Sequence, residues 1–282
     1  MKPPGWYISG PNKSLKTAHI GPDVLAVLDG CLLGDGSYIQ RSIHTASFSI
    51  NQCMAHSEWV ESLNTFLETN GIDNTVKPGV FRRNGREFPY VKMWTHSFID
   101  LLPQRKRWYP EGRKMVPADL DLSNSSTLAQ WHMGDGNASI QRGRLEIKLF
   151  TNGFSEDDVK LLIGKLAVDA GIHGFIIHWR GQPVVTIQHK HAEKFIDMVK
   201  PHVVSCFHRK LPVNPWCRPR CVKCNSVIGG TCGEKRYAKY CDSCASPRMQ
   251  RFRSMSQGTR DLINEKKRQA RWKREGMRGE VV

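Results

Sequence analysis

The chain carries one acidic motif twice, and each copy contains an aspartate flanked by glycines. The copies read LGDGSYIQ around Asp35 and MGDGNASIQ around Asp135. An apolar stretch precedes each copy, which predicts a helix whose last turn holds unpaired carbonyls and a partial negative charge. Each carboxylate, with the carbonyl oxygens of Gly34 or Gly134, suits a hard divalent cation such as Mg²⁺. If the two helices pack side by side, the paired aspartates favour metal-assisted phosphodiester hydrolysis.

The alternative is that each aspartate only begins a tight turn from helix to strand, because Gly-Asp-Gly is common in turns. The spacing downstream argues for a matched pair. Gly71 follows Asp35 by 36 residues, and Gly171 follows Asp135 by the same 36 residues. Further landmarks recur in the same order, which indicates an internal duplication. We therefore expect a pseudo-twofold dimer within one chain.

The elements around the first aspartate follow from hydrophobic periodicity. A helix begins near Asp23, residues 45–51 alternate as a strand, and residues 56–70 form an amphipathic helix that ends at Gly71. Two strands follow, near residues 75–81 and 88–95. A short helix begins at Ser97, and Pro103 is expected to interrupt it.

The second half repeats this order. Ser125 or Ser126 is expected to cap the motif helix, and Ser155 to cap the next one. A hairpin turns at Gly181, and a last helix covers residues 191–200. Each half is thus predicted as α-β-β-α-β-β-α, which makes the fold class α+β.

Small residues predict how the motif helices meet. Gly30 and Gly34 lie on one face of the first helix. Ser126, Gln130 and Gly134 hold the matching positions in the second, where Gln130 suits close contact less well than glycine does.

The overall charge points to a polyanionic partner. The net charge is +16, the pI is about 9.6 and 39% of the residues are hydrophobic. Nucleic acid is the first candidate, although a merely basic protein remains the alternative. No apolar run approaches a membrane span, and no signal peptide is evident. An intracellular, reducing compartment such as the cytoplasm, an organelle matrix or a phage-infected cell is expected. The nine cysteines are then thiols or metal ligands.

The two motifs resemble those of the LAGLIDADG homing endonucleases in their single-chain, two-motif form. Residues 28–36 match the nine-residue motif in Leu28, Gly30, the acidic end and the final glycine. Residues 128–136 match in Leu-Ala, the acidic end and the glycine, and they depart from it at Gln130. The resemblance covers about residues 23–212 and extends to the order of the elements.

The resemblance implies a specific activity. The motif helices would form the interface between the halves, and eight strands would make a saddle over the major groove of a long DNA site. Asp35 and Asp135 would hold two or three Mg²⁺ ions, for which Mn²⁺ or Ca²⁺ can substitute. Both strands would be cut across the minor groove, leaving 3′ overhangs. Lys114 and Lys210 match a basic residue near each metal, where a lysine stabilises charge on the phosphorane; the alternative for each is a solvated linker cation.

A sheet that faces DNA is expected to turn its polar side chains outward. The halves differ at these positions, so the site should be only partly palindromic. The outward candidates are Tyr38, Gln40, Ser47, Ser49, Asn51, Arg82, Arg83, Arg86 and Lys92 in the first half, and Gln141, Arg142, Arg144, Lys148, Arg180, Gln182 and Gln188 in the second.

The C-terminal region holds two C-x₂-C pairs, which predict a structural zinc site. The four ligands are Cys221, Cys224, Cys241 and Cys244; Cys217 or Cys232 can replace one of them, and Cys206 is expected in the core. Residues 246–282 hold 11 Lys or Arg and 4 Asp or Glu. This tail can follow DNA phosphates, or it can recruit a protein.

The predicted organisation has five parts. They are an N-terminal arm (1–22), half 1 (23–122), half 2 (123–212), a zinc-binding module (213–245) and a basic tail (246–282). The leading hypothesis is a monomeric, site-specific endonuclease for double-stranded DNA. The alternatives are an RNA maturase that assists splicing of its host intron and a DNA-binding regulator with an inactive metal site.

Overall fold

A computed structural model describes residues 15–141 and 144–212, together with Cys244, Gly258, Asn264 and Glu265. The chain divides into two units, residues 1–212 and 213–282. The predicted zinc ligands Cys221, Cys224 and Cys241, their alternatives and most of the basic tail lie outside the described residues. Within the described part, no helix is long and apolar enough to cross a membrane.

Each half of the first unit has the order α-β-β-α-β-β-α, so the predicted α+β duplication is confirmed. The first half contains α1 (Pro22–Leu33), β1 (Ser37–Gln40), β2 (Ala46–Cys53), α2 (Ser57–Thr69), β3 (Asn74–Arg83), β4 (Arg86–Thr95) and α3 (Leu101–Trp108). The second contains α4 (Ser125–Asp135), β5 (Gly136–Gln141), β6 (Arg144–Phe150), α5 (Glu156–Asp169), β7 (Gly174–Trp179), β8 (Gln182–Ile187) and α6 (His189–Val199). A 3₁₀ helix, Ser205–Lys210, follows the second half.

The eight strands form two antiparallel four-stranded sheets, with orders β1-β2-β4-β3 and β5-β6-β8-β7. In β2, Phe48 and Ile50 are buried in the core, which defines the inner face of the first sheet. Ser49 lies on the outer face and pairs with Trp94 of β4. In the second sheet, Lys148 takes the place that Ser49 holds in the first, because each pairs with the residue two positions after its aspartate.

Local capping explains two helix starts, and one prediction about capping is wrong. Asn124, rather than Ser125 or Ser126, caps α4, and its side chain accepts a hydrogen bond from the Ser126 amide. Ser155 caps α5 as predicted, in a reciprocal pair with Asp158. The prediction for Pro103 is also wrong, because α3 begins at Leu101 and Pro103 falls in its first turn, where no helical N–H is lost.

The motif helices α1 and α4 pack against each other at the centre of the unit. A β-carbon built on Gly30 would lie 2.7 Å from Cβ of Gln130 and would also overlap the carbonyl oxygen of Thr127. Glycine at position 30 therefore permits the approach, and the Gln130 side chain fills the space. Its Oε1 accepts a hydrogen bond from the Trp59 indole at 2.6 Å. The expected close helix contact is present, and Gln130 takes part in it.

A buried ion pair joins α3 to the first motif helix. Nη1 of Arg107 lies 2.8 and 2.9 Å from the two carboxylate oxygens of Asp29, and the Trp108 indole donates to the same carboxylate at 2.7 Å. The Arg107 Nε donates to Asp119 at 2.6 Å. Asp29 is only 4% exposed, so these bonds supply the partners that a buried carboxylate needs.

Candidate active site

The two duplicated aspartates meet where α1 and α4 end side by side. A β-carbon built on Gly34 would lie 3.4 Å from Cα of Gly134 and 3.7 Å from Oδ2 of Asp135. One built on Gly134 would lie 3.6 Å from the Asp35 backbone nitrogen. The helix ends are therefore in van der Waals contact, and both carboxylates occupy one region at the base of the interface. We call their surroundings the Asp35 pocket and the Asp135 pocket.

The two carboxylates differ in their exposure to solvent. Asp35 is exposed, whereas Asp135 is half-buried. Burial is the largest cause that raises the pKa of Asp135, to about 6, and the negative charge of Asp35 raises it further. Lys210 and Lys114 oppose this shift. Two carboxylates that repel each other in this way are suited to share a positive charge.

Each predicted lysine lies at the end of one motif helix. The ammonium group of Lys114 donates to the carbonyls of Gly34 at 3.1 Å and Gly36 at 3.0 Å. That of Lys210 donates to the carbonyls of Met133 at 2.6 Å and Gly134 at 2.8 Å, and also to that of His132. Burial lowers the pKa of each lysine to about 8, so both are mostly protonated at neutral pH.

The donor set fits a hard cation that retains water. Two carboxylates and the carbonyls of Gly34 and Gly134 are all oxygen donors, which Mg²⁺ prefers. Each carbonyl already accepts from a lysine and has one further lone pair. Among the described residues, no group of three or more His, Cys, Asp or Glu side chains could hold a metal. Mg²⁺ commonly binds through one or two carboxylates, water and substrate phosphate, so the two aspartates suffice.

Sequence reasoning missed three residues that lie behind Asp35. Nε2 of Gln52 donates to Oδ2 of Asp35 at 2.7 Å. Oε1 of Gln52 lies 3.0 Å from Nδ1 of His56, and Nε2 of His56 lies 2.9 Å from Nη2 of Arg209. Gln52 falls in the apolar phase of β2, after Phe48 and Ile50. A polar residue at a position where the alternation predicts an apolar one was the signal in the sequence that could have identified Gln52.

The chemistry of the groups fixes the direction of this hydrogen-bond chain. Arginine can only donate, so Nε2 of His56 accepts from Arg209. A neutral imidazole then donates from Nδ1 to the Gln52 carbonyl, which leaves the Gln52 amide to donate to Asp35. Burial, followed by the charges of Arg209 and Lys210, lowers the pKa of His56, which favours this neutral ring.

Strand register corrects part of the predicted DNA-contacting set. Ser37 pairs with Ser49, so Tyr38 and Gln40 point toward the inner face. Tyr38 is 4% exposed and packs edge-on against Phe48, so its outward placement is wrong. The same parity contradicts the placement of Gln40.

Three other candidates differ from the prediction in exposure or face. Ser47 and Ser49 lie on the outer face but are only 1% and 5% exposed. Arg41 covers Ser47, to which its Nε donates at 2.9 Å. Arg82 lies on the face opposite Arg83 and forms an ion pair with Glu87 at 2.8 Å. Ser47 and Ser49 are thus on the predicted face but shielded from solvent, and Arg82 is not on that face.

The remaining candidates are distributed over the outer face and the turns. Gln188 immediately precedes α6 and lines a groove with Arg144 and Lys148. Arg180 has a positive φ of 53° in the β7–β8 turn. The Gln141 side chain and Arg142 lie outside what the structure describes. The candidates on the outer face, at strand positions or at their ends, are Asn51, Arg83, Arg86, Lys92, Arg144, Lys148 and Gln182.

Aromatic rings accompany the cations on this outer face. The ammonium groups of Lys77 and Lys92 each lie 5.9 Å from the ring centroid of Trp94. In the second sheet, Lys148 lies 5.8 Å from that of Trp179, which is 51% exposed. Cations held over aromatic rings are suited to contact both the phosphates and the apolar edges of bases.

The chain belongs to the LAGLIDADG DNA endonuclease family, whose model matches residues 25–195. The matched range includes both aspartates, Lys114 and all eight strands, and it ends before Arg209 and Lys210.

The relatives whose names describe an activity include an mRNA maturase and a DNA endonuclease. A cytochrome b mRNA maturase bI2 of Debaryomyces hansenii is 28% identical over 67% of this chain and 73% of its own. A probable intron-encoded DNA endonuclease of Mycosarcoma maydis is 33% identical over 33% of this chain and 67% of its own. The structure of the homing endonuclease I-WcaI bound to its DNA recognition sequence has a TM-score of 0.60 at 20% identity. It covers 74% of this chain and 96% of its own, and it shows a shared fold.

Proposed function

We propose that the chain is a site-specific endonuclease that cuts both strands of a long, partly palindromic DNA site. The observation that carries this proposal is the paired helix ends, where two aspartates and two lysines converge in one region. Membership of a DNA endonuclease family supports it. The cut is proposed to be staggered, with 3′ overhangs, and to require Mg²⁺, for which Mn²⁺ or Ca²⁺ can substitute in binding.

In this proposal, the two aspartates hold cations and the two lysines offset negative charge. Asp35 and Asp135, with the carbonyls of Gly34 and Gly134, would hold two or three divalent ions. Bound there, these ions would polarise the scissile phosphate and lower the pKa of the attacking water. Lys114 and Lys210 present ammonium groups fixed by backbone carbonyls, which would stabilise the negative charge that develops on the phosphoryl oxygens.

The two sheets supply the proposed recognition surface. Their outer faces present Lys, Arg and Gln side chains at strand spacing, and such groups contact phosphates and the major-groove edges of bases. Since both halves occur in one chain, a monomer suffices as a pseudo-dimer. Double-stranded DNA is the proposed partner.

The decisive experiment is a cleavage selection. The purified protein is incubated with a randomised or host-genomic DNA library and Mg²⁺, beside an Asp35→Asn, Asp135→Asn double variant. We expect a discrete staggered cut that the double variant does not make. Tight DNA binding without cutting, in Mg²⁺ and in Mn²⁺, would leave only a regulator.

A second candidate function is assistance of intron splicing as a maturase, because a relative of that name aligns over two thirds of the chain. The partner would then be intron RNA. Binding of the host intron's transcript and faster splicing in vitro would support it. Both activities can coexist if separate surfaces serve them.

A structural zinc ion bound by Cys221, Cys224, Cys241 and Cys244 is proposed from the spacing of the cysteines. We expect one zinc per chain by elemental analysis, lost in a Cys221→Ser, Cys224→Ser variant. A zinc content unchanged by these substitutions would contradict this site.

A further inference from the structure

The outer faces of the two sheets can be compared row by row, because the duplicated aspartates fix the register of both. Ser49 and Lys148 are equivalent, and the next outward position in each strand lies two residues further along it. In the first half, the next row consists of Asn51, Lys92 and Lys77, which pair with one another across β2, β4 and β3. This row is polar and carries two cations.

The equivalent row of the second half is entirely apolar. Phe150 of β6 and Ile177 of β7 both pair with Val184 of β8, which lies between them. Phe150 and Ile177 are half-buried, and Val184 is fully buried although it lies on the outer face. Three apolar side chains therefore stand where the first half has one amide and two ammonium groups.

Exposed aromatic rings extend this row along β7. Phe175 and Trp179 flank Ile177 at the neighbouring outward positions and are 47% and 51% exposed. The ammonium group of Lys148 lies 5.8 Å from the ring centroid of Trp179, on the other side of β8, so the stem of this lysine crosses the row. We call Phe150, Phe175, Ile177 and Trp179 the apolar patch. Contiguous apolar side chains on an exposed face indicate an interaction site.

The charges around the apolar patch favour double-stranded DNA as its occupant. Arg144, Lys148 and Lys190 line the groove beside Phe175, and Glu146, which also lines it, is paired with Lys148 at 3.0 Å. An apolar surface bordered by cations suits a ligand that has apolar groups between its phosphates. In the major groove, thymine presents such a group, its C5 methyl, whereas the other bases present hydrogen-bonding atoms.

We propose that the apolar patch contacts the C5 methyl groups of thymines, so that the second half requires thymine where the first half contacts polar base edges or phosphates. This inference rests on the proposed endonuclease function and names the base that one half recognises. Ile177 lies at the centre of the patch and is the residue that determines this specificity. The two halves therefore differ in the kind of base contact that they make, as well as in sequence.

The test removes single methyl groups from the DNA and leaves every hydrogen-bonding group in place. Each thymine of the site found by the cleavage selection is replaced in turn by deoxyuridine, which lacks only the C5 methyl. Affinity is measured by fluorescence anisotropy in EDTA. Since burial of one methyl group corresponds to about a fourfold change in affinity, we expect a loss of about fourfold for each contacted thymine at one end of the site and less than about 1.5-fold at the other end.

Two variants assign this effect to the apolar patch. Ile177→Ser removes the central apolar contact, so the loss at that end should shrink to less than about twofold. His178→Gln is the matched control, because His178 is the next residue of β7 and faces the opposite side of the sheet, where it lies 3.6 Å from Glu156. This control should retain the loss of about fourfold.

The outcomes separate this inference from the function on which it depends. A selected site without thymine in either half, or losses of equal size at both ends, would overturn the inference and leave the endonuclease intact. A fourfold loss that Ile177→Ser does not reduce would also overturn it, since other residues would then contact the methyl group. No binding or cutting of any DNA by the wild type would overturn the proposed function, and the inference with it.

Discussion

At the level of single residues, the active-site region contains a histidine that must remain neutral. His132, in α4, is fully buried, and its Nε2 lies 3.0 Å from the Lys210 carbonyl. Among the described atoms, its Nδ1 has no hydrogen-bond partner, and a β-carbon at Gly136 would overlap it. A proton on Nδ1 would be a buried donor without an acceptor. Burial accordingly lowers the pKa of His132 to about 4.

The lowered pKa of His132 predicts that this side chain destabilises the folded state in mild acid. Because His132 binds a proton near pH 6.5 in the unfolded chain and only near 4 in the folded chain, its contribution to stability falls as the pH drops between these values. His132 alone should lower the free energy of unfolding by about 3 kcal/mol over this window, while the raised pKa of Asp135 acts in the opposite direction. Urea unfolding at several pH values measures it.

Two substitutions isolate the contribution of this one side chain. Relative to the wild type, His132→Gln should gain about 3 kcal/mol in the free energy of unfolding between pH 6.5 and 4. His44→Gln, which removes an exposed histidine, is the control for the loss of an imidazole that is not buried. A difference between His132→Gln and the wild type that stays constant over this pH range would assign the acid sensitivity to other groups.

At the level of elements, stability depends on how closely α1 and α4 approach. An added β-carbon at Gly30 would meet the Thr127 backbone, which cannot move independently of α4. We expect Gly30→Ala to reduce the free energy of unfolding by about 1–3 kcal/mol, the usual effect of overpacking. Chemical denaturation checks this value.

A second glycine provides the matched control. Gly164 lies in α5, and a β-carbon there would meet nothing within 4 Å. Gly164→Ala should stabilise the protein by about 0.5–1 kcal/mol, because alanine loses less backbone entropy in a helix. Equal effects of the two substitutions would contradict the packing argument.

The sequence predicted the helices and strands well because their periodicity is local. Which face of a sheet a side chain occupies depends on how the strands pair, and this register is known only from the structure. The outward placement of Tyr38 assumed the wrong parity for β1, a strand of only four residues. A shift of one residue turns every side chain to the other face. The same limit explains Arg82 and Arg83, which are adjacent in sequence and lie on opposite faces of the hairpin.

The aspartates and lysines were predictable because their surroundings are duplicated. Gln52 and His56 were not, because Thr151 and Ser155 stand at the equivalent positions of the second half, and Arg209 meets them only in the folded chain. His56 and Arg209 are 153 residues apart in sequence, and only the folded chain brings them together.

At the level of the whole molecule, the charge of +16 should make DNA binding strongly dependent on salt. A protein that contacts six to ten phosphates loses about 10³–10⁵ in affinity between roughly 50 and 200 mM salt. We expect a loss in this range for the proposed site, measured by fluorescence anisotropy in EDTA so that no cutting occurs. A loss smaller than about tenfold would contradict recognition through the phosphates.

The β3–β4 hairpin offers a paired test of which face meets the DNA. Arg83 lies on the outer face, whereas Arg82 lies on the opposite face and is paired with Glu87. Arg83→Gln should lower the salt slope by about one unit if it contacts a phosphate, and Arg82→Gln should leave it unchanged. The reverse result would place the DNA on the other side of the hairpin.

The contact between Gly30 and Gln130 also determines whether each half can pair with the other half or with a copy of itself. In a pair of two second halves, Gln130 would stand where the first half has glycine, and its β-carbon would collide with the facing helix. In a pair of two first halves, the Trp59 indole would lose the Gln130 oxygen that accepts its hydrogen bond at 2.6 Å. If the halves were produced as separate chains, each would therefore select the other over a copy of itself, and a gene divided between them would yield heterodimers.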